Sequence, residues 1–183
     1  MASRLFFALW PDPAVANELA HWAQHAQHLC GGRMMRPDTF HLTLAFLGQV
    51  PDDRVPELQA VLHARPWLGG SLSLDCYGRF RGPRIVWAGP SACVPWLDRM
   101  HAALARALSR LGFDVVDGPF RPHVSLLRQA GPEDLAALPA QRPVGWDVRR
   151  LVLVASTPRD AGSYYREIAG CDLSVSAHPP VKD

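Results

Sequence analysis

His41-Leu42-Thr43-Leu44 and His123-Val124-Ser125-Leu126 repeat one pattern in the two halves of the chain: a histidine, a hydroxyl two positions on, and apolar residues between and after. Only an extended strand sends positions i and i+2 to the same side. The pattern therefore predicts two half-buried strands. His41 and Thr43 project together from one, His123 and Ser125 from the other, while Leu42, Leu44, Val124 and Leu126 pack behind. His21, His25, His28, His63, His101 and His178 fall on helical stretches or in the tail and have no hydroxyl two positions on.

One such strand alone reads as a partly buried histidine bonded to its neighbouring hydroxyl. Two of them, at corresponding places in the two halves, read as one shared site. Two imidazoles and two hydroxyls facing a common cleft supply a general base, a general acid and donors for an anion. That set suits cleavage of a phosphodiester without a metal. A metal-binding reading is weaker, because Thr and Ser are poor partners for imidazole ligands and neither motif contains an acidic residue.

With 183 residues, the chain suits one domain of ordinary size or two small lobes sharing a cleft. A hydrophobic share of 48% and a charged share of 20% exclude a disordered chain. The net charge of +2 permits a phosphorylated ligand and disfavours tight wrapping of a long nucleic acid. Cys30, Cys76, Cys93 and Cys171 lie far apart with no Cys-x-x-Cys pair, which fits free thiols in the cytoplasm. The apolar run Leu5 to Trp10 is stopped by Pro11-Asp12-Pro13, too short for a signal-peptide core or a membrane span. No membrane association and no obligate protein partner are expected.

Along the chain, Arg4 to Trp10 reads as strand. Asp12 to Leu29 reads as a helix with Asp12 at its N-cap, Pro13 in the first turn and Gly31-Gly32 at its end. Phe40 to Leu47 is the first motif strand, closed by Gly48, followed by a helix from Asp52 to Ala64. Ser71 to Phe80 alternates as a strand and pairs with Arg84 to Ala88 around the turn Arg81-Gly82-Pro83. Leu97, Met100, Leu104 and Leu108 mark the core face of a helix from Val94 to Leu111, capped by Gly112. Phe120 to Arg128 is the second motif strand. A short helix near Glu133 to Leu138 and strands at Val148 to Ala155 and Tyr164 to Leu173 follow; the tail from Ser174, with Pro179-Pro180, is expected to fray. Each half thus carries strand, helix and motif strand. The expected architecture is α+β: two pseudo-symmetric lobes of antiparallel sheet, flanked by helices, around a central cleft, residues 1–183 forming one domain.

The extended pieces His41-Leu42-Thr43-Leu44-Ala45-Phe46-Leu47-Gly48 and Pro119-Phe120-Arg121-Pro122-His123-Val124-Ser125-Leu126-Leu127-Arg128 resemble the paired signatures of the two-histidine phosphoesterase superfamily. Within it they look like the bacterial RNA 2′,3′-cyclic phosphodiesterases, historically called 2′-5′ RNA ligases. Arg4-Leu5-Phe6-Phe7-Ala8-Leu9 is similar to that family's first strand, and the likeness runs from Arg4 to about Leu173. Two departures stand out. Ser125 lies where the family more often carries Thr, which keeps the donor and loses a stiffening methyl. Arg36-Pro37-Asp38-Thr39 replaces a more apolar approach to the first motif.

The resemblance implies hydrolysis of a 2′,3′-cyclic phosphate on an RNA end or small cyclic nucleotide, leaving a 2′-phosphomonoester, with no cofactor and no metal. It implies His41 as proton donor and His123 as proton acceptor; the near-symmetric motifs themselves do not assign these roles. Thr43 and Ser125 would donate to the non-bridging phosphoryl oxygens. Arg128 is a further phosphate or ribose contact in the family pattern, yet its spacing from His123 sends it to the opposite strand face unless a strand end or bulge brings it round. Phe7 and Phe46 read as core, with a base-stacking shelf as the alternative. Arg79, Arg81 and Arg84 read as a solvated basic turn, and Trp87 and Trp146 as buried. Two rival functions use the same site. Ligation of a cyclic end to a 5′ hydroxyl is hydrolysis run backwards, opposed by water at about 55 M unless both RNA ends are held. A non-catalytic RNA-binding module would not need both intact histidines.

Overall fold

The computed structural model describes residues 1–115, 119–159 and 162–175. β1 (Ala2–Leu9) leads into α1 (Pro13–Cys30), then β2 (Arg33–Met34), β3 (Leu42–Pro51), α2 (Val55–His63) and β4 (Leu68–Leu74). The hairpin of β5 (Cys76–Phe80) and β6 (Ile85–Gly89) precedes α3 (Pro95–Arg110) and β7 (Val124–Arg128). The chain continues through β8 (Val144–Val148), β9 (Arg150–Arg159), β10 (Gly162–Asp172) and β11 (Ser174–Val175). Asp12 caps α1 as expected, its carboxylate accepting the Val15 N–H at 2.9 Å, and Gly31 ends the helix with φ 59°.

Among the described residues, eight strands form one sheet in the order β10-β9-β1-β3-β7-β6-β5, with β2 also paired to β7. β11-β4-β8 form a second, three-stranded sheet. The fold is α+β, and the ladders are antiparallel except for β11 beside β4. The two halves meet where β3 lies against β7. Their long helices cross over: α1 packs on β6, β7 and β8, and α3 packs on β3, β4 and α2. Each motif strand is thereby backed by the helix of the other half. Leu97, Met100, Leu104 and Leu108 of α3 are buried in the same core as Leu19, Trp22, Leu42 and Val124, which ties the halves together.

Several boundaries differ from those read off the sequence. Both motif strands begin one residue after their histidines. Gly48 does not close β3; with φ 68° it sits at a bulge within the strand. The run Ser71 to Phe80 is two strands in different sheets, broken at Asp75, whose carboxylate accepts the Ser91 N–H at 2.6 Å and the Ser91 hydroxyl at 2.9 Å. Glu133 to Leu138 holds only a single turn of 3-10 helix, Leu135–Ala137. Ser174–Val175 pair with Leu68 and Gly69, so fraying does not begin at Ser174; residues 176–183, with Pro179-Pro180, lie outside the described residues. No helix among the described residues is long and apolar enough to cross a membrane.

Candidate active site

Leu42 stands opposite Val124 where β3 and β7 pair. Extending that antiparallel register by one residue either way sets His41 across from Ser125 and Thr43 across from His123. The two histidines are therefore diagonal neighbours on one sheet face, a relationship that places backbone positions about 7–8 Å apart. A phosphoryl group accepting a hydrogen bond of about 2.8 Å on each side needs a gap of that order. All four side chains are half-buried, whereas the Leu42 and Val124 side chains between them are fully buried.

The rings are fixed in the same way. His41 Nδ1 lies 2.8 Å from the Thr39 carbonyl oxygen, and His123 Nδ1 lies 2.7 Å from that of Arg121, in each case two residues back. A carbonyl only accepts, so Nδ1 carries the proton and Nε2 is the free nitrogen of each neutral ring. Thr39 itself is buried, with its hydroxyl donating to the Arg36 carbonyl at 2.7 Å, which stiffens the turn ahead of His41.

Aromatic walls enclose both imidazoles. Trp10 stacks on His41 at 5.2 Å and 13°, Phe6 tilts against it at 4.9 Å, and Tyr165 meets it edge-on at 5.1 Å. Phe80 meets His123 edge-on at 4.8 Å, with Trp87 at 6.0 Å. Burial among these rings pulls the pKa of His41 from 6.5 down to about 4; the Thr39 carbonyl opposes the fall, and the charges of His123 and Arg128 add to it. His123 is lowered for the same leading reason, against its bond to the Arg121 carbonyl and with help from the Arg121 guanidinium. His41 thus feels both His123 and Arg128 directly: the three share one local field.

A bulge recurs in both motif strands. Between β6 and β7, Trp87 pairs with Ser125 but Val86 pairs with Leu127, so Leu126 is the extra residue. Between β1 and β3, Ala8 pairs with Thr43 but Phe7 pairs with Ala45, so Leu44 is extra. Leu42–Phe46 and Val124–Arg128 accordingly share one pattern: buried, half-buried, buried, buried, exposed. The bulge reverses the alternation, and Arg128 returns to the face of Ser125.

A family model described as the 2′-5′ RNA ligase superfamily matches residues 11–159. The chain belongs to the 2′-5′ RNA ligase superfamily. The RNA 2′,3′-cyclic phosphodiesterase of Escherichia coli K12 is 33% identical over 129 residues, spanning 69% of this chain and 72% of that protein. The enzyme of the same name from Thermus thermophilus is 28% identical over 171 residues, 88% of this chain and 86% of that one. The crystal structure of E. coli LigT complexed with 3′-AMP superposes with a TM-score of 0.84 at 27% identity, covering 95% of this chain and 99% of that one.

On this superfamily scaffold, His41, Thr43, His123, Ser125 and Arg128 come to one sheet face. Phe7 is fully buried and belongs to the core, whereas Phe46 is 38% exposed on the sheet face of Thr43, with the Arg4 guanidinium 4.8 Å over its ring. Phe46 is thus not a core residue. Trp87 and Trp146 are buried as expected, but Trp87 also borders His123. Arg79 and Arg84 are not a solvated turn: both are engaged with backbone carbonyls of the segment after β7. Sequence reading missed Phe6, Trp10, Phe80 and Tyr165 as ring neighbours. Phe6 and Trp10 share strand parity with Ala8, which pairs with Thr43, and that parity was available as a signal; Tyr165 arrives from β10 and leaves no local trace. Two surface hollows lie apart from the histidines, one of about 650 Å³ between the start of α1 and the β4–β8 ladder, the other of about 880 Å³ beside the β5–β6 turn. Neither contains an imidazole.

Proposed function

We infer that this chain hydrolyses 2′,3′-cyclic phosphate ends of RNA to 2′-phosphomonoesters by two-histidine acid–base catalysis. The observation that carries the reading is the pair of Nδ1-anchored imidazoles on adjoining strands, each with a hydroxyl beside it, in a chain whose curated relatives are named RNA 2′,3′-cyclic phosphodiesterases. One neutral Nε2 takes the proton of an in-line water as its oxygen bonds to phosphorus. The other ring, as imidazolium, gives its proton to the departing 3′ oxygen. Thr43 and Ser125 donate to the non-bridging oxygens as charge grows there, and Arg128 contributes a fixed cation. We read His41 as the proton donor, the role that its resemblance to the family implies. Burial disfavours its charged form, so the negative charge of the bound phosphate has to offset that burial.

The steps move protons and exchange the ribose 3′ oxygen on phosphorus for the water oxygen, and the reading needs no metal or cofactor. The halves act as one bilobal unit, since each supplies one imidazole. Four unbridged cysteines fit a reducing compartment, and we place the enzyme in the cytoplasm. Incubation of an oligonucleotide bearing a 2′,3′-cyclic phosphate with the protein in EDTA tests the reading. A 2′-phosphate end supports it. Joined strands would support ligation instead; bound but unchanged RNA, or turnover lost with chelation, would overturn it.

A further inference from the structure

Arg84 at φ 54° and Gln129 at φ 56° are the non-glycine residues of the described chain in the left-handed region, and they lie side by side. Neither has a side chain suited to that backbone, so the surroundings must hold them there. The Ala130 N–H donates to the Arg84 carbonyl at 3.0 Å. In return the Arg84 guanidinium donates through Nε to the Ala130 carbonyl at 3.1 Å and through Nη2 to the Gln129 carbonyl at 3.2 Å. Arg79 extends the contact: its Nη1 donates to the Gly131 carbonyl and its Nη2 to the Glu133 carbonyl at 2.9 Å. Two guanidinium groups of the β5–β6 hairpin thus grip the stretch of backbone carbonyls that follows Arg128.

That grip directly follows the short stretch of β7 beyond the bulge. Beyond the extra residue Leu126, only Leu127 and Arg128 remain in the strand, paired with Val86 and with Met34 and Arg33. A shift of one residue in so short a ladder exchanges its faces and would turn Arg128 away from the histidines. We propose that Arg84, assisted by Arg79, is a positioning residue: its forked bonds to the Gln129 and Ala130 carbonyls hold the bulge in the register that keeps Arg128 on the catalytic face. A guanidinium suits the task because one rigid fork meets two carbonyls; an ammonium keeps the charge but has no fork. The functional consequence rests on the reading of Arg128 as a substrate contact, whereas the placement does not.

The test compares Arg84→Lys, Arg128→Ala and the double variant by NMR titration of His41 and by steady-state kinetics on a 2′,3′-cyclic-phosphate oligonucleotide. Arg128 helps to depress the His41 pKa, so Arg128→Ala raises it, and Arg84→Lys raises it in the same direction although the charge at position 84 is kept. The double variant rises no further than Arg128→Ala alone. KM follows the same order, increasing about tenfold for Arg128→Ala and by a similar factor for Arg84→Lys. A normal His41 titration in Arg84→Lys, beside a shifted one in Arg128→Ala, overturns the proposal; so does an unmoved titration in Arg128→Ala. A shifted titration with unchanged KM in Arg128→Ala refutes the substrate contact and leaves the clamp standing. Arg84→Ala, monitored in the same way and by melting temperature, separates loss of register from loss of fold.

Discussion

Phe46 and Arg128 occupy equivalent places in the two halves: each follows its motif histidine at the same spacing, lies one step past a bulge, and is exposed on the sheet face of the motif hydroxyls. The scaffold is nearly symmetric and these two positions are not. One presents a flat ring with Arg4 above it, the other a cation.

A nucleotide is asymmetric in the same sense, with a flat base and a charged phosphate. Phe46→Ala is therefore expected to raise KM for a nucleoside 2′,3′-cyclic phosphate about tenfold, since base–aromatic stacking is worth about 1–3 kcal/mol. A cyclic phosphodiester lacking a base should be affected far less. Equal effects on both substrates would show that Phe46 supports the fold rather than the base.

His41→Ala and His123→Ala are each expected to lower kcat by about a hundredfold to ten-thousandfold, the usual contribution of a positioned acid or base. Thr43→Val and Ser125→Ala remove one donor each and should cost about tenfold to a hundredfold. Ser125→Thr keeps the hydroxyl and adds only a stiffening methyl, and should retain activity. Melting temperatures measured alongside separate these losses from unfolding. A histidine variant that keeps wild-type turnover would remove that ring from the mechanism.

The pH dependence follows from the direction of both shifts. Burial lowers the pKa of His41 to about 4 and lowers that of His123 as well. A reaction that needs one charged and one neutral ring in the free enzyme then has a kcat/KM bell centred on the acid side of pH 6.5. Stability carries the matching sign. The folded pKa lies below the unfolded value, so the unfolded chain takes up protons first as pH falls. The contribution of His41 is complete above pH 6.5, declines between 6.5 and about 4, and levels off below that, a loss of up to about 3 kcal/mol. Denaturant midpoints across this range check the slope. Inorganic phosphate should raise the His41 titration in NMR; a rise confined to His123 would reverse the donor and acceptor roles.

The faces of His41, Thr43, His123 and Ser125 are legible because simple alternation governs the first three residues of each motif. Arg128 escapes that logic, since a bulge changes strand parity without requiring any particular residue. A trace of it exists all the same: Leu44-Ala45 and Leu126-Leu127 are adjacent apolar pairs at the same point of both motifs, and regular alternation does not produce them. The break at Asp75 is hidden for the opposite reason, because Leu72, Leu74 and Cys76 continue one alternation across two sheets. The crossing of α1 and α3 to the opposite motif strands depends on how the halves dock, and helix periodicity reports only that a face is buried. Arg79 and Arg84 look like solvated turn charges in one dimension because their partners are backbone carbonyls, which no residue pattern records.

Gly78 tests how tightly the wall behind His123 is built. It pairs with Trp87 across β5 and β6, and a methyl group placed on it would come within 2.0 Å of the indole ring. No rotation about a flexible chain end relieves that clash, because the indole is itself boxed in. A methyl on Gly89 would meet its opposite edge at 2.9 Å, and Phe80 packs at 5.6 Å. In Gly78→Ala the ring has to shift toward His123 and Phe80 or the strands have to part. Overpacking of this kind costs about 1–3 kcal/mol, to be read from the denaturant midpoint. A shift of the ring should also disturb the edge-on Phe80 contact and lower kcat without a comparable change in KM, because His123 moves while the residues facing the substrate's base do not. Wild-type stability and turnover together in Gly78→Ala would mean that Trp87 is free to move and does not hold His123 in place.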